Sequence, residues 1–98
     1  MSLEDTVSNK ISALFTRTEV RDFIDVDAIR SSAPFTDEAI MSSATERDAG
    51  FSIKQFASQL ELIQRITADR FAEYGIDAEQ CATIKTRFLD WAAALRGA

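Results

Sequence analysis

The sequence predicts an all-α chain, a compact bundle of five or six short helices with no sheet. Three observations carry that expectation. Apolar residues recur at spacings of three and four through segment after segment, as in Val7, Ile11, Leu14 and in Cys81, Ile84, Phe88, Trp91, Leu95. Helix-opening patterns stand before two of these stripes, where Ser52-Ile-Lys-Gln55 and Asp77-Ala-Glu-Gln80 read as capping boxes. No run of alternating or β-branched residues reads as a strand.

The elements follow in order. Ser2 is the expected N-cap of a first helix, with Glu4 and Asp5 in its first turn and Leu3, Val7, Ile11, Leu14 and Phe15 on its buried side. Thr16 and Thr18 weaken helix near Arg17, so a break is expected there, with Thr18 capping a second helix. That helix buries Phe23, Val26, Ala28 and Ile29 and ends before Pro34, because a residue preceding proline is pushed away from helical angles. Thr36 opens a short helix carrying Ile40, Met41 and Ala44, closed at Ala49-Gly50. Phe51 and Phe56 stand at the two positions of a hydrophobic staple, and the helix they flank buries Ile53, Phe56, Leu60 and Ile63. A further helical stretch runs from Ile66 to Tyr74, with Ile66, Phe71 and Tyr74 apolar, and Gly75 stops it. Ile76 and Cys81 form the staple of the last helix, which places Trp91 in the core.

Composition removes several classes of function. A hydrophobic share of 46% beside 28% charged residues is that of an ordinary globular domain. Without histidine, no His-dependent hydrolytic triad exists within the chain. Cys81 is the single cysteine, which excludes an internal disulfide and suits a small buried apolar side chain. The net charge of −5 argues against a free-standing nucleic-acid binder and leaves only a local basic face open. No apolar run approaches the roughly 20 residues that span a bilayer, and no signal-like start is present, so a cytoplasmic location is expected.

That local face lies between Lys10 and Asp27. On one continuous helix Lys10, Leu14, Arg17 and Arg21 would share a side, and Asp22 and Asp25, three apart, would share another. Arg17 and Arg21 repel by a few tenths of a kcal/mol as an i,i+4 pair, at about the scale seen in isolated helices. A helix break between them or an anionic partner relieves that cost. By spacing alone Lys10 reads as a solvated helix lysine, and the arginines pair as readily with Asp22 or Asp25 as with a substrate. Asp25-Val26-Asp27 is not read as a metal-binding pair, since residues two apart on a helix diverge by about 200°.

The same block carries a resemblance. Lys10, Ala13-Leu14, Arg17 and Arg21-Asp22-Phe23-Ile24-Asp25 resemble the C-terminal signature of the AbiEii-type abortive-infection nucleotidyltransferase toxins, a branch of the DNA polymerase beta-like superfamily. Weaker matches continue through Gly50-Phe51, Phe56-Ala57, Phe71 to Gly75 and Arg87 to Trp91. The resemblance implies a catalytic set of Lys10, Asp22 and Asp25, with the lysine on the nucleotide phosphates and an aspartate orienting it or supporting the metal. It implies Arg17 and Arg21 as substrate-binding residues. It further implies nucleotide transfer from a Mg²⁺-bound nucleoside triphosphate to an acceptor such as RNA, a role in phage defence, and a cognate antitoxin.

Such transferases also resemble one another in a mixed sheet with a Gly-Ser turn and an Asp-x-Asp pair. Here Gly50, Gly75 and Gly97 are the only glycines and none precedes serine. Residues 1–98 are therefore expected to be a single helical domain, the C-terminal part of a larger nucleotidyltransferase whose core is absent from this chain. Met1-Ser2-Leu3 is compatible with a cloning start. The chain alone is expected to be inactive, with no cofactor and no metal site of its own. Without a core to cover them, Leu14, Phe15, Phe23 and Ile24 would be bare and would drive a homodimer. Substitutions at Lys10, Asp22 and Asp25 are expected to spare the fold. The alternative expectation is a small acidic helical module that binds a partner protein without catalysis.

Overall fold

The computed structural model describes residues 3–32 and 34–97. Among them are six α-helices and no strand: α1 (Leu3–Arg17), α2 (Val20–Ser32), α3 (Asp37–Arg47), α4 (Ile53–Glu61), α5 (Ala68–Ala72) and α6 (Ala78–Gly97), with a 3-10 turn at Leu62–Arg65. The expected Ser2 cap lies outside the described residues.

Local chemistry sets most of the boundaries. Thr36 Oγ1 accepts from Ala39 N at 3.1 Å to open α3, and Ser52 Oγ accepts from Gln55 N at 3.3 Å to open α4. Asp77 and Gln80 form a reciprocal capping box at the start of α6, with bonds of 2.8 and 3.0 Å. Gly75, at φ 78°, ends the α5 segment: Ile76 N donates to Phe71 O and Gly75 N to Ala72 O, the paired bonds of a Schellman cap. The Phe51–Phe56 staple is present, with ring centroids 5.3 Å apart.

The helices form two units that share one core. α1 packs on α2 and α3, while α4 and α6 make the most extensive contact, with α5 and the 3-10 turn against α6. Aromatic rings join the units. Phe23 of α2 meets Phe88 of α6 edge-on at 5.1 Å, and Phe15 of α1 lies 6.4 Å from Phe56 of α4 between ring centroids. Within the second unit Phe56 meets Trp91 of α6 edge-on at 5.4 Å. Ile11, Leu14, Val26, Leu60, Ile63 and Phe71 complete the dry interior, and Cys81 and Trp91 are buried as expected.

Four positions depart from expectation, three in burial and one in capping. Ala28 and Ile53 are exposed at the flanks of their apolar stripes, where a rotation of a few tens of degrees decides the side faced. Tyr74 is exposed because α5 ends at Ala72 and leaves it in the turn that Gly75 closes. Thr18 does not cap α2. It is the residue after α1, at φ 56°, donating its N–H to Leu14 O at 3.1 Å.

The bare face expected around Leu14 and Phe23 is also not found. Both are fully buried, and Phe15 and Ile24 pack against the same core. The apolar surface that was to drive dimerisation is covered from within, chiefly by α4 and α6. The chain is accordingly expected to sediment as a monomer at tens of micromolar, and a concentration-dependent dimer in that range would contradict this packing.

Candidate functional site

The elbow between α1 and α2 builds the site. Because the chain breaks at Thr18-Glu19, Arg21 does not continue the α1 face that holds Lys10. The turn folds α2 back on α1, and Lys10 and Asp25, fifteen residues apart, meet at 3.1 Å between Nζ and Oδ2. Arg21 Nε stands 4.0 Å from the same oxygen, one turn along α2. Leu14, predicted to share the cationic side, points into the core instead.

Arg17 and Asp22 make a second pair. Arg17 NH2 donates to Asp22 Oδ1 at 2.6 Å, and Glu19 N donates to Asp22 Oδ2 at 3.1 Å. Asp22 thus sits at the third helical position of α2 and reaches back to the residue that opens it, the second half of a capping box. Its side chain is 2% exposed, against 59% for Arg17. The expectation that Asp22 is a helix-surface acid is overturned by that burial and by both its oxygens being engaged, so its replacement is now expected to cost stability. The bond to Asp22 raises the pKa of Arg17 further above its ordinary value, which keeps the guanidinium charged.

Lys10, Arg17 and Arg21 thus face Asp22 and Asp25, and Glu19 lies on the elbow itself beside Arg17, so three cations and three carboxylates balance there. Arg17 and Arg21 are both largely exposed, although Arg17 NH2 is held by Asp22 and Arg21 Nε stands near Asp25. A phosphate group arriving here would compete for cations already gathered and oriented.

Asp27 belongs to a different cluster. Both its oxygens lie 3.2 Å from Arg87 NH1, which also donates to Ser31 Oγ at 3.1 Å. The pair ties α2 to α6 across sixty residues of sequence. Burial raises the Asp27 pKa above its ordinary 3.8, and Arg87 and Arg30 only partly oppose it. A raised carboxyl pKa means that the native state binds the proton more tightly than the unfolded one. Its contribution to stability is then present below pH 3.8 and is lost as pH rises through the native midpoint. Asp27→Asn is expected to flatten this loss in melting temperatures taken across roughly pH 3 to 6, and an unchanged slope would refute it.

Sequence reading missed the Arg30 cluster altogether. Arg30 makes two parallel bonds to Asp37, both 2.9 Å, and its guanidinium lies 4.0 Å from the centre of the Trp91 ring. The spacing of seven between Arg30 and Asp37 spans an interhelical turn, so no helical periodicity exposes it. The Trp91 Nε1 is buried with no hydrogen-bond partner among the described residues. Beside it a cavity of about 620 Å³ opens between α3 and α6, floored by Met41, Ile53, Trp91 and Leu95 and edged by Asp37, Glu38 and Glu46.

A catalytic metal does not fit the described residues. Asp22, Asp25 and Asp27 each face a basic side chain, and no group of three or more His, Cys, Asp or Glu is placed to hold an ion. No described helix is long and apolar enough to cross a membrane.

An all-α chain thus gathers a lysine and two arginines around paired carboxylates at one helical elbow. The chain belongs to the nucleotidyl transferase AbiEii toxin family of type IV toxin–antitoxin systems, whose family model matches residues 1–96. Neither the curated proteins nor the solved structures gave a match.

Proposed function

We propose that residues 1–98 are the C-terminal helical part of a nucleotidyltransferase toxin that moves a nucleotide from a nucleoside triphosphate to an acceptor such as RNA, acting in the cytoplasm in phage defence and held in check by a cognate antitoxin. The observation that carries this reading is the convergence of Lys10 and Arg21 on one oxygen of Asp25, built from the residues on which the resemblance to the family rests. In this reading Lys10 is the phosphate-side cation, Asp25 orients it, Arg17 and Arg21 receive the substrate's negative charge, and Asp22 sets the helix that presents them. Mg²⁺ and the triphosphate are bound chiefly by a sheet-bearing core on the N-terminal side.

Such catalysis rests on placement of the triphosphate in line with its acceptor, which these helices alone do not achieve. The isolated chain is therefore expected to transfer no label from nucleoside triphosphates to total RNA in the presence of Mg²⁺. The same helices joined to the segment encoded upstream should transfer it. Incorporation by the purified 98-residue chain, or an upstream segment lacking a Gly-Ser turn and an Asp-x-Asp pair, would overturn the reading.

The cavity between α3 and α6 favours a second reading, a protein-interaction module. Its apolar floor and acidic edge suit a basic amphipathic peptide. Saturable binding of such peptides, lost on Ile53→Glu, together with no upstream transferase core, would establish it.

A further inference from the structure

Lys10 and Asp25 stand on different helices, so their 3.1 Å meeting depends on the angle between α1 and α2. That angle is set by two residues, Thr18 and Glu19. Thr18 is the one non-glycine residue at positive φ among the described residues, and it is β-branched, the side-chain type least suited to that conformation. Backbone held in this way persists where its surroundings over-determine it.

The surroundings are supplied from α4. Gln59 Nε2 donates to Phe15 O at 3.0 Å and to Thr18 Oγ1 at 3.1 Å, one amide bonding the last turn of α1 and the elbow residue together. Phe15 O is available because Glu19 N, the donor that would continue the α1 ladder, is turned to Asp22. Gln59 itself is well anchored. It lies between the buried Phe56 and Leu60 on a helix that is packed along α6.

We propose that Gln59, outside the charged block altogether, is a positioning residue for Lys10: it locks the α1–α2 elbow and so fixes the lysine against Asp25. The geometric part stands on these contacts, and its value for catalysis rests on the transferase reading above. Leucine at this position would fill similar space without donors, and glutamate would set a carboxylate against the Phe15 carbonyl.

The test uses the three lysines of the chain, Lys10, Lys54 and Lys85, as reporters. Brief acylation at limiting reagent, read by peptide mass, gives the labelling of Lys10 relative to the other two. Gln59→Leu is expected to raise that ratio at least about threefold, the scale of one neutral hydrogen bond, with helical circular dichroism retained. Adding Thr18→Gly, which makes the elbow conformation favourable by itself, should restore the ratio. An unchanged ratio, a parallel rise at all three lysines, or no restoration by Thr18→Gly would overturn the proposal. Failure of the transferase reading is separately visible, as transfer by the complete enzyme that survives Lys10→Ala while the labelling behaves as expected.

Discussion

Lys10→Ala in the complete transferase is expected to lower nucleotide transfer at least about tenfold while leaving the fold intact. The side chain is 41% exposed and its described partner is Asp25, so removal leaves no buried charge unpaired. A tenfold loss corresponds to one transition-state contact of roughly 1.4 kcal/mol, a modest demand on a cation placed beside a breaking polyphosphate. Arginine should not restore activity, because a planar fork does not replace a compact ammonium. Asp25→Asn should follow Lys10→Ala, since it releases both Lys10 and Arg21. Asp27→Ala should act weakly on transfer, its partner being Arg87 on the far side of α2. Transfer rates of the three variants, each checked for native melting, decide the assignment. Greater sensitivity at Asp27 than at Asp25 would show that the wrong aspartate has been placed in the site.

Asp22→Ala is expected to act in the opposite way, through stability. The substitution strands Arg17, removes the acceptor of Glu19 N, and empties a buried position at the start of α2. Loss of buried charge-assisted bonds costs about 1–3 kcal/mol, and in a domain of this size each kcal/mol lowers the melting temperature by roughly 4–8 °C. Asp22→Asn retains the size and one acceptor and should lose less. If Asp22→Ala melts within about a degree of the parent, the burial is not as described; if it is stable but inactive, Asp22 touches substrate directly.

The contrast between these two aspartates shows where sequence reading succeeds. Features closed within a few residues were legible: the Asp77–Gln80 box, the Phe51–Phe56 staple, the Gly75 stop and the break after Arg17. Each is decided by chemistry that neighbours in sequence supply. The membership of Lys10 and Asp25 in one cluster was legible through the charged block, though not as one continuous face, because the break rotates Arg21 away from the α1 axis. Thr18 was misread since its conformation depends on Gln59, forty-one residues on. The Asp27–Arg87 tie and the Arg30–Asp37–Trp91 stack were invisible for the same reason, as partners on separate helices leave no period in the sequence. Ala28 and Ile53 show the complementary limit: periodicity finds a stripe, and the packing of other helices decides how wide it is.

Trp91 gives the fold an optical readout of its own integrity. It is the single tryptophan, held edge-on by Phe56, flanked by Phe88 and covered by the Arg30 guanidinium, so its indole touches α2, α4 and α6 together. All tryptophan emission of the folded chain therefore arises from one ring in one environment, next to a cation that draws on its π electrons. Loosening of α2 from α6, even with every helix still formed, would wet the ring and move its emission to longer wavelength before the far-ultraviolet signal of the helices changed. One wavelength scan thus separates loss of packing from loss of helix in a protein whose charged elbow depends on how its helices are stacked.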